Sequence, residues 1–242
     1  MLARKRQLRM LPARGCTLAA YLARNARRHE VWAAIIEPVG DDMSVYDRYL
    51  FAFLSINTGF EHTCSAFARM RGRYWLDASE AEATIRQSPL VQYAPTKAKD
   101  IVAFTHRFLA HPESWRIRQG ETAGQARDRL NVKGLGMAKL SFALCLLAPT
   151  VADIACCDRH IQRWATGQIR NTLPVKVYAQ MESSMVQIGR RYGVSAFVAQ
   201  WTIWDWQRGS EETHAIIADD RKGDEHVVQA NAGGSLRANV LS

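Results

Sequence analysis

The chain has 242 residues and a mass of 27.3 kDa, with 48% hydrophobic and 23% charged residues. That is enough to bury a sizeable core in one large domain or two small ones. Thirty-two Lys and Arg against 23 Asp and Glu leave a formal net charge of +9, which points to a polyanionic partner, nucleic acid or an acidic membrane surface. The longest apolar stretch, Leu140 to Cys157, is broken by Pro149 and Asp153; a spanning helix needs about 20 apolar residues, so a transmembrane protein is excluded.

The basic surplus is concentrated at the start. Residues 1–28 hold Arg4, Lys5, Arg6, Arg9, Arg14, Arg24, Arg27 and Arg28 with no acid, which reads as a basic arm running into the first helix. A flexible arm on phosphates, a basic helix face and an Arg-rich transit peptide share this pattern, and the absence of serine weighs against the last. Residues 29–208 read as one helical domain, because the apolar spacing is helical almost throughout and rarely alternates as a strand would. The predicted helices run from Thr17 to Glu37, stopped by Pro38 and Gly40, and then onward from Asp41-Asp42 with Tyr49, Phe51, Phe53, Leu54 and Ile56 as apolar positions. Ser79-x-x-Glu82 predicts a capping box for a short helix limited by Pro89. Pro95 and Thr96 open a helix over Lys97–His111, and further helices are predicted over Ala123–Leu130, Met137–Leu147, Arg159–Thr166, Val175–Tyr192 and Ala196–Gln207. Residues 209–242 are polar, mix both signs and include Gly233-Gly234; they read as a disordered tail.

Cys16, Cys64, Cys145, Cys156 and Cys157 are odd in number and lack CxxC spacing, and no secretory signal with a cleavage site precedes them. The pattern argues against a disulfide scaffold, a zinc ribbon or an iron–sulfur cluster, and for a reducing, intracellular setting without metal or other cofactor. Cys156-Cys157 reads as buried packing.

The segment that carries chemistry is LNVKGLGMAKLSFALCLLAPTVADIACCDRHIQRW, Leu130 to Trp164. Gly134-Leu135-Gly136 between two helical patterns permits a tight turn with no side chain between backbone and ligand. The turn leads into a helix N-terminus, which favours a phosphate, and Lys133 adds a point charge. An ordinary helix–helix corner is the plain alternative. Asp158 follows Gly136 by 22 residues, in Asp158-Arg159-His160-Ile161-Gln162-Arg163, and it doubles as a natural N-cap for the helix after it.

A glycine hairpin, an apolar helix, an apolar loop and D-x-H-I-x-R resemble the helix-hairpin-helix (HhH-GPD) superfamily of DNA glycosylases, of which endonuclease III is the familiar type. Tyr93-x-x-Thr96-Lys97-Ala98-Lys99-Asp100-Ile101 and Leu54-Ser55-Ile56-Asn57-Thr58 resemble its upstream segments, so the likeness covers roughly Ser44 to Trp164. The resemblance implies an all-α, two-lobed fold with a cleft between lobes, double-stranded DNA with a modified or damaged base as partner, and Asp158 as the essential carboxylate. It implies Lys133, Gly134, Leu135 and Gly136 on phosphate, Asn57 as the side chain that fills the vacated stack, and His160 and Arg163 as supports or phosphate contacts. Base loss passes through an oxocarbenium-like sugar that one carboxylate stabilises, after the base has been flipped out of the duplex.

The chain also departs from that pattern. Strand-cleaving members carry a nucleophilic lysine two residues after the second hairpin glycine, where this chain has Ala138; the cluster cysteines are absent after Trp164, and Lys133 stands where proline is usual. Lys139, one residue later, lies about 100° around the helix and reads as a phosphate contact or solvated charge, with catalysis as the alternative. These departures imply a monofunctional glycosylase. They also leave open the related phage group of α-glutamyl/putrescinyl-thymine pyrophosphorylases. There, Asp158 would be a general base toward an amine or amino-acid co-substrate, and Lys139 would hold an anionic leaving group. A non-catalytic DNA-binding module is the third reading. Trp201 and Trp204 share a helix face and read as core, whereas Tyr74-Trp75 beside Arg69, Arg71 and Arg73 reads as a DNA-edge patch or a basic helix end.

Overall fold

Helix starts in this chain are set by short polar caps, and the computed structural model shows which of the competing caps wins. It describes residues 17–37, 39–88, 90–170 and 173–208; the basic segment before Thr17, with Cys16, and the tail 209–242 lie outside the described residues. Thr17 and Asp41 accept first-turn N–H groups and open α1 (Leu18–Ile36) and α2 (Asp42–Leu54). Next comes α3 (Phe60–Met70), a helix the sequence reading does not contain. The cap of α4 (Ala78–Arg86) is Asp77, which accepts from Glu80 N at 2.7 Å; Ser79 lies inside the helix, so the predicted box starts two residues too late. In α5 (Ala94–Ala110) Pro95 sits in the first turn, where its missing N–H has no helical partner to lose.

A 3₁₀ turn (Pro112–Trp115) leads to α6 (Ala123–Arg129), opened by a Thr122/Gln125 capping box. Then follow α7 (Met137–Leu147), α8 (Arg159–Thr166), α9 (Val175–Tyr192) and α10 (Ala196–Arg208). The described residues are all-α with no strand, and no helix among them is long and apolar enough to cross a membrane.

Two apolar clusters organise the helices. The larger joins α2 to α7 around Tyr46, Tyr49, Phe51, Phe53, Phe104, Phe108 and Trp115, whose rings meet edge-on or tilted, as in the Tyr46–Phe108 pair at 5.5 Å, or stacked, as in Tyr46–Phe104 at 5.8 Å. Trp75 belongs to this core: it is 1% exposed and donates through Nε1 to Met70 O at 2.8 Å. Tyr74 packs on Tyr46 at 5.1 Å. The pair is therefore core, which corrects its reading as a DNA-edge patch. The second cluster joins Leu22 of α1, Ile161 of α8, Tyr178, Met181 and Met185 of α9, and Ile203 of α10.

Between α7 and α8 the chain has no regular secondary structure and is mostly buried from Ala152 to Asp158. A buried irregular segment must find side-chain partners for its N–H groups. Glu182 accepts from Ala155 N at 3.1 Å, Gln200 from Cys156 N at 3.0 Å, and the Tyr178 hydroxyl from Cys157 N at 3.4 Å. Glu182 is itself held by a two-oxygen ion pair to Arg127 of α6, at 2.6 and 3.0 Å. α6, α9 and α10 thus fix the segment that ends at Asp158.

Candidate active site

The glycine hairpin is a tight turn closed by Leu135 N donating to Val132 O at 3.0 Å, with Gly134 at φ +89. A positive φ at the third position is the type II requirement, and the second position tolerates most residues as well as proline, which is how Lys133 fits. Gly134 is also needed for space, since a Cβ there would stand 2.7 Å from Asp100 Oδ2. Val132 and Leu135 are buried and Lys133 and Gly136 exposed. Leu135 therefore anchors the turn through its side chain and can offer only backbone to a ligand. Gly136 caps α7 without a side chain, leaving the helix N-terminus open.

Asp158 is the N-cap of α8. Its Oδ1 accepts from His160 N at 2.9 Å and Ile161 N at 3.1 Å, so the cap bonds use one oxygen and leave Oδ2 available. Asp158 borders a cavity of about 310 Å³ between the two clusters, walled by α2, α3, α7, α8 and α10. Phe60 of α3, Phe142 of α7 and Trp201 and Trp204 of α10 supply aromatic walls, and Glu61, Gln200 and Lys139 supply polar atoms. His160 meets Trp204 edge-on at 5.7 Å. Cys156 also faces the cavity, but burial pushes its thiol up to about 12, so it is a neutral thiol near pH 7 and no nucleophile.

Lys139 is half-buried in the same wall. It lies three residues before Phe142 on one helix face, with Nζ 5.4 Å from that ring's centroid. Ala138 instead packs toward the second cluster. The one-residue offset therefore places Lys139 on the cavity side of α7 and Ala138 on the other.

No protein-family model matches the sequence, and no curated protein does. Among solved structures, the 8-oxoguanine DNA glycosylase of Methanocaldococcus jannaschii superposes with a TM-score of 0.67 at 19% identity, over 80% of this chain and 92% of that one. The fold is that of the 8-oxoguanine DNA glycosylases. The Thermotoga maritima enzyme of that description gives a TM-score of 0.66 at 19% identity, over 80% and 95% of the two chains. The M. jannaschii glycosylase/lyase bound to a 15mer DNA containing 8-oxoguanine gives 0.66 at 19% identity, over 76% and 91%. This is the helical HhH-GPD architecture.

Within the glycosylase fold the structure brings Asp158, Lys139 and His160 together at one cavity, while Lys133 and Arg163 are exposed outside its lining. Asn57 is exposed in the turn after α2, in the left-handed region at φ 50, which Asn tolerates better than most residues. The α3 wall was not anticipated, and Trp201 and Trp204 serve the cavity as well as the core.

Lys97 was read only as part of an upstream match. It is 3% exposed, and its Nζ donates to Leu54 O at 2.8 Å and Thr58 Oγ1 at 2.5 Å, pinning the turn that carries Asn57 and the cavity residue Thr58. Burial, with the charge of Lys139 added, lowers its amine from 10.5 to about 7. Between those values the unfolded chain holds a proton that the folded chain has released, so folding is increasingly favoured as pH rises through the window. Urea denaturation of wild type and Lys97→Met at several pH values from 7 to above 10 should show the wild type gaining stability relative to the variant; a pH-independent difference would contradict this account of Lys97.

Proposed function

We propose that the chain is a DNA N-glycosylase that releases a modified base flipped into the cavity. The observation that carries this reading is the placement of Asp158 and Lys139 in the wall of one aromatic-lined cavity. The two are opposite charges at a site where a bond would separate into a cationic sugar and an anionic base. Asp158, through Oδ2, stabilises the oxocarbenium-like sugar and orients the attacking water. The ammonium of Lys139 stabilises the departing base. The hairpin N–H groups, the open N-terminus of α7 and Lys133 bind a backbone phosphate, and the basic arm adds sequence-independent attraction. Asn57, on its exposed turn, enters the vacated stack, and its neighbour Thr58 in the cavity wall supports that reading. The structural neighbours are glycosylases by description, one of them bound to DNA containing 8-oxoguanine, which places that base first among substrates to try.

A second reading is favoured by the cavity-facing position of Lys139: its amine, in place of water, attacks the sugar and forms a Schiff base that leads to strand cleavage. Duplexes carrying 8-oxoguanine, deaminated bases and alkylated purines, incubated with and without borohydride, separate the two. Abasic sites on intact strands without a trapped adduct are expected. Lys139→Ala should then slow release by about 10–100-fold without abolishing it. A borohydride-trapped adduct that disappears in Lys139→Ala would establish the second reading, and no abasic site on any substrate would overturn both.

A further inference from the structure

Lys97 of α5 is 3% exposed, and among the described residues no acid pairs with it; the charge that acts on it is the like-charged Lys139. A buried ammonium without a counter-ion costs stability, and an apolar chain of the same length would fill the space without that cost. What the amine supplies instead is a clasp. Its Nζ donates at 2.8 Å to Leu54 O, one of the terminal carbonyls of α2 that lack helical donors, and at 2.5 Å to Thr58 Oγ1. Thr58 Oγ1 donates in turn to Ile56 O at 3.1 Å, and Ser55 Oγ to Ala52 O at 2.8 Å. The turn is thereby closed on both sides of Asn57, the residue held at φ 50. Left-handed backbone costs energy even for Asn, so a turn without the clasp would relax.

The same face of α5 reaches the hairpin. Asp100 follows Lys97 by three residues, hence on one side of the helix, and its carboxylate lies against Gly134. α5 therefore sets the Asn57 turn and the Gly134 turn relative to each other, the two places where the base-flipping reading above puts contacts to DNA. Resting on that reading, we propose that Lys97 is a positioning residue for base flipping: its clasp on Leu54 and Thr58 holds the Asn57 turn in the shape that enters the stack, in register with the phosphate grip. Lys97 is too buried to touch DNA itself, so its effect passes through Asn57.

Flipping is read from 2-aminopurine placed beside 8-oxoguanine, a deaminated base or an alkylated purine in separate duplexes, because its fluorescence rises when its neighbour leaves the stack. All variants carry Asp158→Asn, so excision does not interfere, and amplitudes are compared at saturating protein. Lys97→Met keeps the bulk of the side chain and removes the clasp. It and Asn57→Ala are each expected to lower the ratio of unstacked to stacked complex about 10-fold. Combined, they should lower it no further than Asn57→Ala alone, as residues acting through one another do. Thr58→Val, which breaks the clasp from its other end, should reproduce the loss, and Thr58→Ser, which keeps the hydroxyl, should restore the signal; this pair decides the matter if Lys97→Met does not fold. An unchanged ratio in Lys97→Met or Thr58→Val, or an equal further loss when Lys97→Met is added to Asn57→Ala, overturns the proposal while base flipping stands. A bound duplex with no fluorescence rise in the parent overturns the base-flipping reading, and this role of Lys97 with it.

Discussion

Asp158→Asn should lower single-turnover base release by at least about 10³-fold while duplex affinity stays within about threefold of wild type, since the hairpin and Lys133, proposed above to hold phosphate, are untouched. The expectation rests on the division of labour between the two carboxylate oxygens. Oδ1 is engaged by the N–H groups of His160 and Ile161, and an asparagine oxygen can take over those bonds, because Asn and Asp are about equal as N-caps. α8 should therefore remain capped, and the melting temperature should barely move. What changes is the other atom, where a neutral NH₂ replaces a negative oxygen and can neither stabilise a cationic sugar nor orient a nucleophilic water. Quench-flow measurement of base release, with fluorescence anisotropy for binding, checks both halves. Release at more than a tenth of the wild-type rate would reduce Asp158 to a helix cap.

The largest stability effect is expected far along the chain from that site. His29 of α1 and Asp205 of α10 form a buried pair, Nε2 to Oδ2 at 2.8 Å, with side chains 2% and 0% exposed. His29 Nδ1 faces Asn25 O at 2.8 Å. A carbonyl only accepts, so Nδ1 donates to Asn25 O, and the Asp205 carboxylate lies at hydrogen-bond distance from the opposite ring nitrogen. Removing the Asp205 carboxylate takes a buried hydrogen-bond partner from His29 Nε2, at a cost of about 1–3 kcal/mol. Asp205→Ala should accordingly lower the unfolding free energy by that amount and the melting temperature by roughly 5 °C. The expected result is read from urea denaturation and calorimetry; a loss under about 1 kcal/mol would mean that the α1–α10 contact rests on its apolar residues instead.

The helices most legible in the sequence are those with unambiguous boundaries. Asp41-Asp42, Thr122 and the Gly136 turn mark starts that the structure keeps, and the helical spacing gave no reason to expect a sheet. Where two polar caps overlap, the pattern alone could not choose: Asp77-x-x-Glu80 and Ser79-x-x-Glu82 both fit, and Asp77 wins. α3 was hidden because Gly59 provides a cap without a side chain and the first turn holds polar Glu61 and His62. At the candidate site, Asp158 and the hairpin could be read from spacing. The cavity walls could not, because Phe60, Lys139, Gln200 and Trp204 come from three helices whose packing no local pattern encodes. The clue to Lys139 was present in the i, i+3 relation to Phe142, which places the two on one face, but which face meets the cavity is decided by tertiary packing. The orientation of the Gln200 amide is set by the N–H of Cys156, 44 residues away in an irregular loop, a relation that exists only once the chain is folded.

The most direct measurement is mass spectrometry of a duplex bearing a defined modified base, incubated in buffer alone with wild type and with Asp158→Asn. Glycosylase action predicts the mass of the free base in the soluble fraction, and the matching loss from one strand as an abasic residue, with wild type and not with the variant. A strand of unchanged mass for every base tried, or one whose mass changes without release of the base, would contradict it.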